Sequence, residues 1–208
     1  MHNDVVRLTG ILLAAGRGTR FDPSGAQDKL QQILPDGRRV AVTAARNLLS
    51  VLPKVLAVVR PEQHALAAEL RAIGCEVTVC QNANEGMAAS LVHALSQARD
   101  AAGWLIALAD MPHVQSRTMA ALSAAIQQDT DIAVPIYRGL RGNPVAFGRA
   151  HLHDLLALRG DQGARQLLKT RPLTEVVTDD PGIVRDIDTV ADLAGVPLAA
   201  NGSDNKLD

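Results

Sequence analysis

Aromatic residues are nearly absent from this chain. One Trp, one Tyr and two Phe stand among 208 residues, 47% of which are hydrophobic. The core must therefore be aliphatic, and the length suits one domain rather than two. Charge of either sign is not in excess: the formal net charge is −1. That excludes a broad basic face and with it general nucleic-acid binding, but not a local cationic pocket for one phosphate ligand. No apolar run reaches membrane-span length, so no membrane association is expected. No leader with a cleavage site is visible, and a cytoplasmic protein is expected. Cysteine is scarce too. Cys75 and Cys80 lie five apart, an odd separation that sends them to opposite faces of one strand, so a disulfide between them is not expected. Neither they nor His93, His151 and His153 have zinc spacing.

What is present is an alternation of short aliphatic runs and longer helical patterns. Strands are expected at Thr9–Ala14, Val55–Val59, Glu76–Cys80, Trp104–Ala109 and Ile132–Ile136. Helices are expected between them at Val40–Val51, Pro61–Ile73, Gly86–Arg99 and Arg117–Gln127. This order means a mostly parallel sheet with helices on both faces, a Rossmann-like three-layer α/β domain over residues 1–200. The last third is looser, with strands at Pro144–Phe147 and Thr174–Thr178 and helices at His151–Leu158, Gly163–Lys169 and Thr189–Leu193. Residues 201–208 read as a polar tail.

Open α/β sheets bind ligands beyond the carboxyl ends of their strands. The loops after Ala14, Val59, Cys80 and Ala109 should therefore converge. The first reads Leu12-Leu13-Ala14-Ala15-Gly16-Arg17-Gly18-Thr19-Arg20. Backbone N–H groups there can face an anion, Gly16 and Gly18 allow close approach, and Arg17, Arg20 and Lys29 add charge. The plainer alternative is a tight turn with solvated arginines. The P-loop pattern is absent, and a dinucleotide fingerprint fails at Phe21. A nicotinamide enzyme is therefore disfavoured. A loop of small residues with cations suits nucleotidyl transfer, in which a triphosphate must be gripped while pyrophosphate departs.

Such chemistry calls for a divalent cation on carboxylates. Asp110 ends the apolar strand Trp104–Ala109 and points into the expected crevice. It is also a reasonable helix cap before Pro112. Asp186 and Asp188 alternate with Ile187, so both can face one side of an extended segment. Asp188 is a candidate second carboxylate, with capping of the following helix as its alternative.

Six ordered blocks carry a resemblance: "LLAAGRGTRF" with Lys29, "NANEGMAASLVHAL" from Asn82, "LADMP", "GLRGNPVAFG" from Gly139, "GDQGARQLL" from Gly160 and "DIDTVADL" from Asp186. Together they resemble the molybdenum cofactor cytidylyltransferases and related small nucleotidyltransferases. The resemblance implies a nucleotide-diphospho-sugar transferase-like fold. It also implies that Ala14, Ala15, Gly16, Arg17 and Gly18 hold the nucleotide, that Arg20 and Lys29 bind phosphate oxygens, and that Gly86 and Ser90 lie against base and ribose. Asp110 and Asp188 would hold Mg²⁺, and Asn143, Gly163 and Arg165 would serve the acceptor.

The implied reaction moves CMP from CTP to a phosphate-bearing acceptor, molybdopterin–molybdenum. A transient contact with a molybdoenzyme or its maturation factor belongs to the same expectation. GTP as donor, a sugar or small-alcohol phosphate as acceptor, and a non-catalytic nucleotide carrier are the alternatives. Two departures stand out. "FDPSGAQD" separates Arg20 from Lys29 more widely than in the compact family loop. Asn143 replaces a frequent histidine and cannot titrate near neutrality.

Overall fold

The computed structural model describes residues 8–24, 26–160 and 163–194. The polar tail 201–208, the expected domain limit at 200, and Asp161 and Gln162 of the "GDQGARQLL" block lie outside the described residues. The chain runs β1 (Thr9–Leu13), α1 (Val40–Leu49), β2 (Val55–Val59), α2 (His64–Ala72), β3 (Glu76–Val79), α3 (Met87–Gln97), β4 (Gly103–Leu108), α4 (Ser116–Ala124) and β5 (Ile132–Tyr137). Then follow β6 (Leu140–Arg141), β7 (Val145–Gly148), α5 (Leu152–Leu156), α6 (Leu167–Thr170), β8 (Thr174–Val177) and α7 (Val190–Leu193).

The strands form one sheet in the order β3-β2-β1-β4-β7-β5-β6, with β8 beside β5. Strands β1 to β4 pair in parallel, whereas β7 runs antiparallel to both β4 and β5. One reversed strand, β7, thus splits the parallel run, β5 again runs with β4, and the short edge strand β6 is antiparallel to β5.

Alternation along the central strands builds two cores. Leu12, Val55, Ala57, Val59, Leu105 and Ala107 pack on one face with α1, α2 and α4 through Leu48, Leu66, Leu70 and Leu122. Ile11, Leu56, Val58, Trp104 and Ile106 pack on the other with α3 and α5 through Leu91, Leu95 and Leu155. The fold is the expected three-layer α/β sandwich. Cys75 and Cys80 are buried, reduced and on opposite faces of the sheet. Trp104, fully buried in the second core, satisfies its indole N–H on the Ala98 carbonyl at 3.0 Å.

Some boundaries differ from the sequence expectation for identifiable reasons. The second helix begins at His64, not Pro61. Residues 60–63 close a turn first, with the Gln63 carboxamide accepting from the Arg60 amide at 2.8 Å. The segment 163–170 is not one helix but a 3₁₀ turn, Gly163–Gln166, followed by α6. The short strand β6 pairs with the end of β5 in a hairpin through Arg138 and Gly139, both at positive φ. Its two residues carry too little pattern to be read in sequence. Among the described residues no helix is long and apolar enough to cross a membrane.

Candidate active site

The carboxyl ends of β1 and β4 lie side by side, Leu13 beside Leu108. Beyond them opens a cleft of about 310 Å³. Ala15, Gly16 and Arg17 line it from the first loop. Ala83, Asn84, Gly86, Met87 and Ser90 line it from the turn after β3 and the start of α3. Lys29 and Asp110 complete it. Three of the four loops expected to converge do so here; the loop after Val59 does not line the cleft, because its Arg60 turns to the back of the first loop.

Ala14 continues the sheet, its amide donating to the Val58 carbonyl at 2.9 Å, and is fully buried. It supports the loop from beneath instead of lining the cleft. Of the two loop glycines only Gly18 has positive φ, +64°. A Cβ there would also sit 3.1 Å from Lys29 Cγ. Gly18 is therefore both a backbone requirement and the flat surface against which Lys29 lies. Gly16 has neither constraint and simply leaves the cleft wall open. Gly86 enters α3 at φ +114°, a conformation that favours glycine.

The long "FDPSGAQD" segment does not carry Lys29 away. Phe21 is buried, and the Asp22 carboxylate gathers the turn by accepting from the Ser24 and Gln27 amides at 2.9 and 2.7 Å. Asp28 then caps a 3₁₀ turn, Lys29–Gln31, through the Leu30 amide at 3.0 Å. Lys29 emerges from that turn almost fully buried. Its ammonium donates to Asp110 at 2.6 Å and to Asp188 at 3.1 Å. Burial alone would pull the Lys29 pKa down. Attraction and hydrogen bonds from the two carboxylates outweigh it and hold the group above its ordinary value.

The acidic side is assembled through the backbone. The Ile187 amide donates to the Asp110 carbonyl at 2.8 Å, and Ile187 itself is buried in the core. This anchor brings Asp186 and Asp188 to the tip of β4. Asp110, Asp186 and Asp188 each offer an oxygen, all within 4.8 Å of one another. Partial desolvation, helped by Asp188 and Asp110, raises the Asp186 pKa. Three carboxylate oxygens suit a hard divalent cation. Arg20 pairs with Asp188 while its own side chain is 77% exposed. The cap of α7 is Thr189, and the Asp192 carboxylate takes the Thr189 amide at 2.7 Å. The Asp188 side chain is thus directed at the cations, not at the helix.

The three acceptor candidates stand apart from the cleft lining. Asn143 precedes β7, whose Val145 lies beside Ile106, so it sits at the same end of the sheet as Asp110. Its amide donates to Ile183 at 2.9 Å. Gly163 and Arg165 belong to the 3₁₀ turn 163–166, just after Gly160, whose carbonyl takes the Ala88 amide at the start of α3. Sequence reading passes over Asn84 and Met87, which line the cleft, and Arg60, which lies behind its first loop. Asp186 is noticed there only for its alternation with Asp188.

A mostly parallel α/β sheet with small-residue loop, buried lysine and carboxylate cluster at its carboxyl edge defines a nucleotidyltransferase. The chain belongs to the MobA-like NTP transferase family, whose domain matches residues 10–176. It is 31% identical over 198 residues to the purine catabolism protein PucB of Bacillus subtilis strain 168, covering 88% of this chain and 92% of that protein. The crystal structure of Rv0371c from Mycobacterium tuberculosis is similar at 26% identity and a TM-score of 0.77, over 89% of this chain and 95% of the other. A manganese complex of Rv0371c has the same identity and coverage with a TM-score of 0.72. Membership carries the general activity, transfer from a nucleoside triphosphate to an acceptor.

Proposed function

We propose that the protein is a CTP-dependent cytidylyltransferase that caps the phosphate monoester of a molybdopterin–molybdenum acceptor. One observation carries the nucleotidyl-transfer geometry: the Lys29 ammonium lies between the loop and the paired carboxylates, beside a cleft sized for a nucleoside. The choice of CTP and of the pterin rests on the six sequence blocks and on the family.

In this reading Ala15, Gly16 and Arg17 face the triphosphate, with Gly86 and Ser90 against base and ribose. In the free protein Lys29 is held as an ammonium by Asp110 and Asp188, which raise its pKa against the cost of burial. It offers positive charge at the α-phosphate as an acceptor phosphate oxygen attacks phosphorus. The new P–O bond forms in line as the bond to the bridging oxygen of pyrophosphate breaks. Arg20, at the exposed rim, neutralises the departing phosphates. Asn143, Gly163 and Arg165 line the approach of the acceptor, Asn143 by hydrogen bonding alone. Asp110 and Asp188 hold Mg²⁺, with Asp186 the third available oxygen donor. The bound cation supplies charge neutralisation on the phosphates. The manganese complex of Rv0371c supports a divalent cation in this fold.

Calorimetric titration with CTP, GTP, ATP and NADPH, with and without Mg²⁺, tests the reading. Mg²⁺-dependent binding of CTP in preference to the others is expected. Preference for GTP would move the assignment to guanylyl transfer. Binding without pyrophosphate release in the presence of acceptor would leave a carrier.

A further inference from the structure

Behind the first loop, on the side away from the cleft, lies a buried guanidinium. Arg60 follows β2, and its side chain is 10% exposed. One terminal nitrogen donates to the carbonyls of Gly16 and Ala15. The other faces the Asp28 carboxylate at 3.5 Å, and Nε donates to Glu62 at 2.7 Å. Gln63, also buried, closes the set: it accepts from the Arg60 amide and donates to Asp28 at 2.8 Å. Asp28 in turn caps the turn that carries Lys29.

The consequence follows from peptide geometry. In a trans peptide the C=O and the next N–H point in opposite directions. Drawing the Ala15 and Gly16 carbonyls towards Arg60 turns the amides of Gly16 and Arg17 the other way. Ala15, Gly16 and Arg17 line the cleft and Arg60 does not. Among the described residues neither amide has an acceptor within the chain. Two oriented donors without partners, beside a cleft with a buried ammonium, form an anion-binding concavity.

We propose that Arg60 is a positioning residue. Through one guanidinium it fixes the direction of the loop amides that receive the triphosphate and, through Asp28, the placement of Lys29. The inference rests on the nucleoside triphosphate reading above. A lysine cannot substitute, because one ammonium on a flexible stem does not span two carbonyls and a carboxylate in a fixed plane.

The test is calorimetric binding of CTP, cytidine and inorganic tripolyphosphate, all with Mg²⁺, to the full chain and to Arg60→Lys and Arg60→Ala. Leu66→Ala, on the neighbouring helix and fully buried, serves as a variant that loses stability without touching the loop. Both Arg60 variants are expected to lose about tenfold to a hundredfold in affinity for CTP and tripolyphosphate alike. Cytidine binding should be unchanged. Guanidinium ion should restore affinity in Arg60→Ala but not in Arg60→Lys, and Leu66→Ala should lower Tm with affinity intact. Equal phosphate affinity in wild type and Arg60→Lys would overturn the inference. So would a loss that follows Tm and extends to cytidine. If wild type binds tripolyphosphate but no nucleoside triphosphate, the substrate reading fails while the Arg60 comparison still decides the inference.

Discussion

Lys29 and Asp110, 81 positions apart in sequence, meet as ammonium and carboxylate at 2.6 Å, and the same ammonium reaches Asp188 at 3.1 Å. A protein cation thus sits where the carboxylates would offer their oxygens to a metal. Such an arrangement partly neutralises the acidic cluster in the free protein. In the proposed reading a metal ion at Asp110 and Asp188 would have to compete with Lys29 for their oxygens.

Removing that competitor should strengthen metal binding even as it destroys transfer. For Lys29→Met, affinity for Mn²⁺ without nucleotide should rise at least about tenfold, from the loss of one adjacent positive charge. Turnover should fall about 10²- to 10³-fold, as for the loss of one transition-state stabiliser. Mn²⁺ titration by electron paramagnetic resonance reads the first change and pyrophosphate release the second. Unchanged or weaker metal binding would mean that Lys29 supports the carboxylates rather than competing for them.

Asp110→Ala tests the opposite partner. The Ile187 amide holds the backbone carbonyl of Asp110, so truncation of the side chain leaves the anchor of the acidic segment in place. Turnover should drop about 10²- to 10³-fold, with a steeper requirement for Mg²⁺. Full activity at ordinary Mg²⁺ would remove Asp110 from the metal site.

Asp110 is legible in sequence because a continuous apolar strand ends at it, and the ends of such strands face the ligand in a parallel sheet. The same reasoning reaches the 14–18 loop and the two-sided core. It does not reach the Arg60 clamp. An arginine after a buried strand reads as a solvated loop residue, and its partners Ala15, Asp28 and Gln63 are scattered along the chain. Nor does it settle Asp188, since a carboxylate before a short helix has two equally good uses. Only the folded position of Thr189 and Lys29 separates them. The reversed strand β7 is hidden for a related reason: four residues carry alternation but no direction.

The buried thiols predict an alkaline limit. Burial pushes the Cys75 thiol up to about 11 from an ordinary 9.0, and it raises Cys80 as well. Because the folded pKa exceeds the unfolded one, this stabilisation is complete below about pH 9. It is lost as pH rises through about 11. At about 1.4 kcal/mol per unit it reaches roughly 2–3 kcal/mol. Urea denaturation from pH 8 to 11 should show a smaller alkaline loss in Cys75→Ala than in wild type. Native protein at pH 8 should also react slowly with a thiol reagent at both cysteines and rapidly once unfolded.

The two candidate uses of Asp188 part company in a pair of variants. Asp192 accepts from the Asp188 amide at 3.1 Å, the Thr189 amide at 2.7 Å and the Thr189 hydroxyl at 2.8 Å. The entry to α7 therefore depends on Thr189 and Asp192, while the Asp188 carboxylate faces Lys29 and Arg20. Asp192→Asn should cost about 1 kcal/mol of stability, the scale of a lost helix cap, with modest effect on metal dependence. Asp188→Asn should do the reverse. Tm should stay near wild type, while the Mg²⁺ concentration for half-maximal pyrophosphate release rises and Mn²⁺ binding without nucleotide weakens. Measuring Tm and the metal titration on both proteins gives four numbers whose pattern decides. If Asp188→Asn lowers Tm and leaves the metal curve untouched, the carboxylate only neutralises Lys29 and Arg20. The cation would then rest on Asp110 and Asp186.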